Sequence, residues 1–195
     1  MHIGVPKEIK VVEHRVGLTP GSVREARTHG HEVIVETRAG QGIGMDDDAY
    51  HRAGATIAAT AAEVFSRGDI IVKVKEPQAV ERSMLKRGQL LFTYLHLAPD
   101  PEQAADLIDS GAVCIAYETV TSRTGGLPLL APMSEVAGRL SIQAGAYFVA
   151  QAHGGLGLLL GGVPGVEPAE VALLCGAVGG ALVCLFARCM GGVVW

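Results

Sequence analysis

The chain has 195 residues, of which 49% are hydrophobic and 18% charged: ample material for a packed core and too little charge for a disordered tail. Lys and Arg number 16 against 20 Asp and Glu, a formal charge of −4 with no basic block, which argues against a nucleic-acid binder held by phosphate contacts. Cys114, Cys175, Cys184 and Cys189 stand in apolar surroundings without CxxC or HxxxH spacing. Neither a disulfide framework nor a metal site is expected, and reduced thiols fit a cytoplasmic protein. The opening Met-His-Ile-Gly-Val-Pro-Lys-Glu lacks the apolar run of a secretory signal.

Short β-branched runs alternate with helical patterns from the first residues. Ile3–Val5 reads as a strand, and Thr19-Pro20 caps a helix that runs to His29 and stops at Gly30. Glu32–Glu36 is the next strand, followed by a Gly40–Gly44 loop and a helix opened by Asp46. Thr60 starts a short helix, and Asp69–Val74 is an apolar run of the kind buried on both faces. A Ser83–Arg87 helix leads to a Gln89–Tyr94 strand; Asp100-Pro101 opens a helix that Gly111 ends, and Ala112–Tyr117 is one more strand. Strands separated by helices in this rhythm predict an α/β fold, a doubly wound and mostly parallel sheet with helices on both faces.

After Tyr117 the pattern changes. Thr121–Pro128 is a turn-rich loop, Pro132–Ala150 one long helix, and Gly154–Gly165 a glycine-rich linker. Val171–Leu174 then reads as a strand and Val178–Met190 as a helix, the start of a Rossmann-type βα unit. The predicted organisation is a first domain over residues 1–130, a linking helix and linker over 131–167, and an incomplete nucleotide-binding unit over 168–195. Too few residues follow to complete a doubly wound domain, so the sequence is expected to be truncated. Val171–Ala187 carries no charge and spaces Gly176 and Gly180 as in membrane helix pairs, yet it falls short of the ~20 residues of a span. A buried strand and helix give the same composition, and a membrane role is not expected.

Ligands of open α/β sheets bind beyond the carboxyl ends of the strands. Arg15 lies in the loop after the first strand, Lys75 ends the IIVKVK run and His96 ends LLFTYLH. An Arg fork with a Lys ammonium would hold a small carboxylate, leaving an imidazole to exchange a proton near neutral pH. Position alone serves a plainer reading as well: a solvated Arg, a surface Lys and a satisfied His.

The segments IGVPKEIK…EHRVGLTP, IIVKVKEP, LLFTYLHLA, IAYETV, LPLLAPMSEVAGR and GGVPGVEPAEV resemble the alanine dehydrogenase family in order and spacing. The resemblance implies NAD-dependent, reversible oxidative deamination of L-alanine to pyruvate and ammonia. It implies that Arg15 and Lys75 hold the substrate carboxylate and carbonyl, that His96 is the catalytic acid and base, and that Met133 lines the pocket with Tyr94 near its wall. It places Ser134 against the pyrophosphate of NAD, and implies a homo-oligomer. The α subunit of proton-translocating transhydrogenase shares the fold and the opening motif, but it lacks the TYLHLA histidine and differs where this chain reads APMSEVAGR. His96 and Ser134 therefore favour alanine dehydrogenase.

The family's cofactor turn reads G-x-G-x-x-G, its glycines admitting the pyrophosphate at a helix N-terminus. Here Cys175, Ala177 and Gly180 stand at those positions, so only the third glycine, Gly180, is kept as a cofactor contact. The acidic residue that reads the ribose and the aspartate that completes the family's active site would fall beyond Trp195. Turnover by this chain is accordingly not expected. Two rivals stay open: a remnant that binds small 2-oxo or amino acids without turnover, and an interaction module for full-length homologues.

Overall fold

A computed structural model describes residues 1–171 and 193–194. The chain divides into two compact units, Met1–Val120 and Thr121–Trp195. The first is a six-stranded sheet, all of whose pairings are parallel: β1 (His2–Val5), β2 (Glu32–Glu36), β3 (Thr56–Ala58), β4 (Ile70–Val72), β5 (Leu90–Thr93) and β6 (Val113–Ala116). Their spatial order is β3-β2-β1-β4-β5-β6, so the winding reverses between β1 and β4. That reversal is the feature that positions the site.

Local chemistry sets the helices between the strands. For α1 (Pro20–Thr28), Thr19 Oγ1 accepts the Ser22 N–H at 3.3 Å and Pro20 takes the first helical position. Asp46 and Thr60 cap α2 (Asp47–Arg52) and α3 (Ala61–Arg67) in the same way, and Asp100 caps α5 (Pro101–Ser110), which Gly111 closes at φ 66°. The short α4 spans Ala79–Arg82, whereas the sequence suggested a helix over Ser83–Arg87. The cause is Glu81, whose carboxylate reaches back to accept the Gln78 N–H at 2.8 Å and starts the turn straight after Pro77. The three-residue edge strand β3 carries no long apolar run and was not anticipated.

Both faces of the sheet are covered, as the alternation along β2 shows. Val33 and Val35 pack with Val5, Val23, Tyr50 and Ala53 on the side of α1 and α2. Ile34, between them, packs with Val64, Phe65, Ile71, Leu91 and Leu107 on the side of α3 and α5. Tyr50 is fully buried and donates its hydroxyl to the Leu18 carbonyl at 2.9 Å; burial pushes its phenol up to about 12. β1 carries Gly4 because a Cβ there would meet Val64 at 2.8 Å, which lets α3 lie close against the strand.

In the second unit a 19-residue helix, α6 (Ala131–Val149), occupies the stretch where the sequence indicated a long helix. A 3-10 turn over Gln151–His153 follows it. Further on, β7 (Glu170–Val171) pairs in parallel with β8 (Val193–Val194). The expected strand beyond Val171, the helix over Val178–Met190, the altered glycine turn and Gly180 lie outside the described residues. Among the described residues no helix is long and apolar enough to cross a membrane.

Candidate active site at the reversal of the sheet

Three connections leave the carboxyl ends of β1, β4 and β5 around the reversal, and they carry Arg15, Lys75 and His96. Beneath them lies a buried charged group that sequence reading missed. Lys73 is completely buried; its Nζ donates to Glu8 Oε2 at 3.1 Å and to Glu81 Oε1 at 2.6 Å. The other Glu8 oxygen accepts the Val74 N–H at 2.6 Å. Glu8, Lys73 and Glu81 thus tie the segment after β1 to the end of β4 and the start of α4. Burial raises the Glu81 carboxyl, with Lys73 pulling against it. The available signal was the KVKE spacing: a lysine inside an apolar run must find carboxylates if it is buried.

Next along the loop, Glu13 grips Arg15. Its Oε1 accepts both the Arg15 backbone N–H and Nε at 2.8 Å, and its Oε2 accepts Nη2 at 2.5 Å. The paired guanidinium, with Lys75 adding its charge, holds the Glu13 carboxyl down at about 2. One edge of the Arg15 fork is therefore committed to orientation, which fixes the plane of the guanidinium. A cleft of about 240 Å³ opens on this side, lined by Lys7, Glu13, His14, Arg15 and Arg38 among others; Lys75 and His96 do not line it.

Because the folded-state value of Glu13 is depressed, its stabilisation is present above the ordinary carboxylate value of 4.5 and lost as pH falls from there towards about 2. Screening at the half-exposed Arg15 limits the effect to about 1 kcal/mol. Urea denaturation should show Glu13→Gln less stable than the parent by that amount near neutrality, with the two converging below pH 4.5. A constant gap down to acid pH would contradict the pairing.

Lys75 lies two residues beyond the buried Lys73, and its carbonyl accepts the Thr93 hydroxyl at 2.9 Å, so the segment after β4 is pinned to β5. Its ammonium acts on Glu13 and the Arg15 charge acts on Tyr94, which places these groups around one region. Tyr94 in turn stacks on His96 with ring centroids 5.8 Å apart, and meets Tyr117 edge-on at 5.0 Å. Burial raises the phenols of both tyrosines.

His96 sits in the left-handed region at φ 46°, a conformation that costs a non-glycine residue about 1–2 kcal/mol. Glu118, in the 3-10 turn after β6, compensates by accepting the N–H groups of His96 at 2.7 Å and Leu95 at 3.0 Å. Burial would raise the Glu118 carboxyl, yet these amide donors outweigh it and leave it below its usual range. His96 Nδ1 faces Glu76 Oε2 at 3.6 Å, and the second Glu76 oxygen is paired with Lys10. Glu8, Glu13, Glu76 and Glu118 are thus the supporting carboxylates absent from the sequence reading.

Met133 and Ser134 belong to the second unit, in the first turn of α6, and both are half-buried there. The backbone N–H of Ala131 is bonded to the Leu127 carbonyl, and those of Met133 and Ser134 to the Leu130 carbonyl. This helix start therefore offers a hydroxyl more readily than amides to an anionic group.

The description "alanine dehydrogenase/PNT, N-terminal domain" matches residues 4–137, and "alanine dehydrogenase/PNT, C-terminal domain" matches residues 141–195. The alanine dehydrogenase of Halomonas elongata is 54% identical over 180 residues, 92% of this chain and 48% of that protein. That of Methanococcus maripaludis is 52% identical over 194 residues, 100% of this chain and 52% of its own length. The solved structure of an L-alanine dehydrogenase superposes with a TM-score of 0.89 at 50% identity, covering 98% of this chain and 53% of that one. A transhydrogenase from Sinorhizobium meliloti gives a TM-score of 0.79 at 26% identity, covering 100% of this chain and 57% of that one. The chain spans about half the length of the curated relatives it matches. With both domain descriptions matched in order and its parallel sheet found again in a solved relative, the chain belongs to the alanine dehydrogenase/PNT family.

Proposed function

We propose that this chain supplies the substrate-binding part of an NAD-dependent L-alanine dehydrogenase, which interconverts L-alanine with pyruvate and ammonia. The observation that carries the reading is that the connections leaving β1, β4 and β5 around the reversal of the sheet carry Arg15, Lys75 and His96, with the Arg15 guanidinium held by Glu13, the Lys75 carbonyl by Thr93 and the His96 backbone by Glu118. In this assignment Arg15 and Lys75 bind the carboxylate and carbonyl of the three-carbon acid. Glu13 sets the plane of the guanidinium, so a carboxylate meets a fork already oriented. His96 exchanges the proton at the heteroatom on the α-carbon, and Tyr94 backs its ring. The resemblance also assigns Met133 to the substrate-binding residues.

NAD, when bound, supplies the acceptor for the hydride of the α-carbon. Ser134 would contact its pyrophosphate through the hydroxyl, in keeping with the amides already spent at that helix start, and Gly180 would serve the second contact. The resemblance further supports a cytoplasmic homo-oligomer.

Pyruvate titrated into the ¹⁵N-labelled chain should bind with millimolar affinity, perturbing the amides around Arg15, Lys75 and His96. Arg15→Ala removes a charge-assisted contact worth about 1.5–3 kcal/mol, which lowers affinity by roughly 10- to 100-fold. Unchanged binding in that variant would remove Arg15 from the clamp, and no binding by the parent chain would remove the reading itself.

A further inference from the structure

Glu76 is a partly buried carboxylate with one oxygen paired and the other shielded from solvent. Its side chain is only 16% exposed, Lys10 pairs with Oε1, and Oε2 is shielded from solvent with no hydrogen-bond partner among the described residues. A buried oxygen without a partner is costly and calls for a role. The group that faces it is His96 Nδ1 at 3.6 Å, at ion-pair range and a few tenths of an ångström beyond a hydrogen bond. Everything else around His96 limits how its ring can turn. Its backbone is pinned in the left-handed region by Glu118, and its ring lies against Tyr94 at an interplanar angle of 25°.

We propose that Glu76 is a positioning residue that holds His96 as the Nδ1–H tautomer, so that Nε2 carries the lone pair that takes up the substrate's proton. The inference rests on His96 being the acid and base of the proposed reaction, and it deepens that assignment. The chemistry is that of a carboxylate behind an imidazole: a charged acceptor at Nδ1 selects one tautomer, aims the ring and stabilises the imidazolium formed when Nε2 is protonated. A contact of 3.6 Å in the absence of substrate is consistent with this, since catalytic hydrogen bonds tighten when the ligand arrives. Lys10 completes the arrangement. By taking Oε1 it leaves Oε2 as the oxygen presented to His96. The motif was in view in the sequence as the glutamate of KVKEP, directly after the lysine assigned to the substrate.

An imidazole free in water favours the Nε2–H tautomer, so the proposal predicts a reversal that can be read directly. Long-range ¹H–¹⁵N spectra of the labelled chain, taken where the His96 ring is neutral and without ligand, should show Nδ1–H as the majority form. In Glu76→Met, which fills the same space without an acceptor, Nδ1–H should drop to the minority. Glu76→Gln keeps the shape but not the charge, and should fall between the two. Nε2–H as the majority form in the parent chain would overturn the proposal, a result that needs no variant to fold. So would the parent share of Nδ1–H persisting in either variant. Pyruvate binding separates this from the assignment of the site: parent binding with an unchanged tautomer rejects the role of Glu76 alone. Absence of binding with the expected tautomer switch rejects the substrate assignment and leaves the Glu76–His96 pair standing.

Discussion

Lys73→Met should cost the first unit about 3–5 kcal/mol, a large part of the stability of a domain of this size. The lysine is fully buried and the side chains of Glu8 and Glu81 are 2% exposed, so its removal takes the counter-charge from two buried carboxylates. The pH dependence has a definite sign. Burial already raises the Glu81 carboxyl, and without Lys73 only the Gln78 N–H still opposes it, so the folded state holds a proton that the unfolded chain releases. Such a group gives its stability below the unfolded value and loses it as pH rises through the folded one. The deficit should therefore be larger at about pH 7.5 than at about pH 4.5. Chemical denaturation followed by circular dichroism at the two pH values measures this. Adding Glu8→Gln and Glu81→Gln to the variant should recover at least half of the loss, because neutral amides cost less to bury than orphaned carboxylates. A cost below about 1 kcal/mol, or a loss independent of pH, would mean the three charges are hydrated or otherwise compensated.

This buried group also shows what the sequence could and could not convey. The strands were legible because EVIVE and DIIVKV are short β-branched runs bounded by breakers, and most helix starts because Thr19, Asp46, Thr60 and Asp100 are capping residues. The positions of Lys75 and His96 just past β4 and β5 were legible for the same reason, and Arg15 could be placed only in the loop after β1. The pairings were not legible. Glu8 lies 65 residues from Lys73, and Glu118 lies 22 from His96, so only the strand order brings each carboxylate to its partner. α4 was misplaced because its start depends on a side chain bonding to the backbone three residues earlier, which outweighed the helical pattern of residues 83–87. The site thus divides by sequence distance. Groups assigned to touch substrate stand at countable loop positions, whereas the carboxylates that orient them come from other strands or fold back within their own loop.

Gly17→Ala should remove pyruvate binding while leaving the first unit folded. A Cβ at Gly17 would stand 2.4 Å from the Val72 carbonyl oxygen and 2.8 Å from its carbon. Both atoms are backbone of β4, which is hydrogen-bonded to β1 on one side and β5 on the other and cannot retreat. The loop that carries Glu13 and Arg15 must then lift by about 1 Å to reach an ordinary contact. Strain of this kind costs about 1–3 kcal/mol, less than the loss expected at Lys73, because a loop gives way more easily than a buried charge finds a partner. Its effect on the ligand approaches that of Arg15→Ala. A displaced fork forfeits its charge-assisted contact, about 1.5–3 kcal/mol or roughly 10- to 100-fold, enough to move a millimolar affinity out of the measurable range. Gly21→Ala is the control: in α1 the nearest atom to its Cβ would be Thr19 Oγ1 at 3.7 Å, so stability should rise slightly with affinity unchanged. Pyruvate titrations and thermal denaturation of the two variants side by side test the argument. If Gly17→Ala binds pyruvate as the parent does, the loop is not held by its contact with β4, and the orientation of Arg15 has another origin.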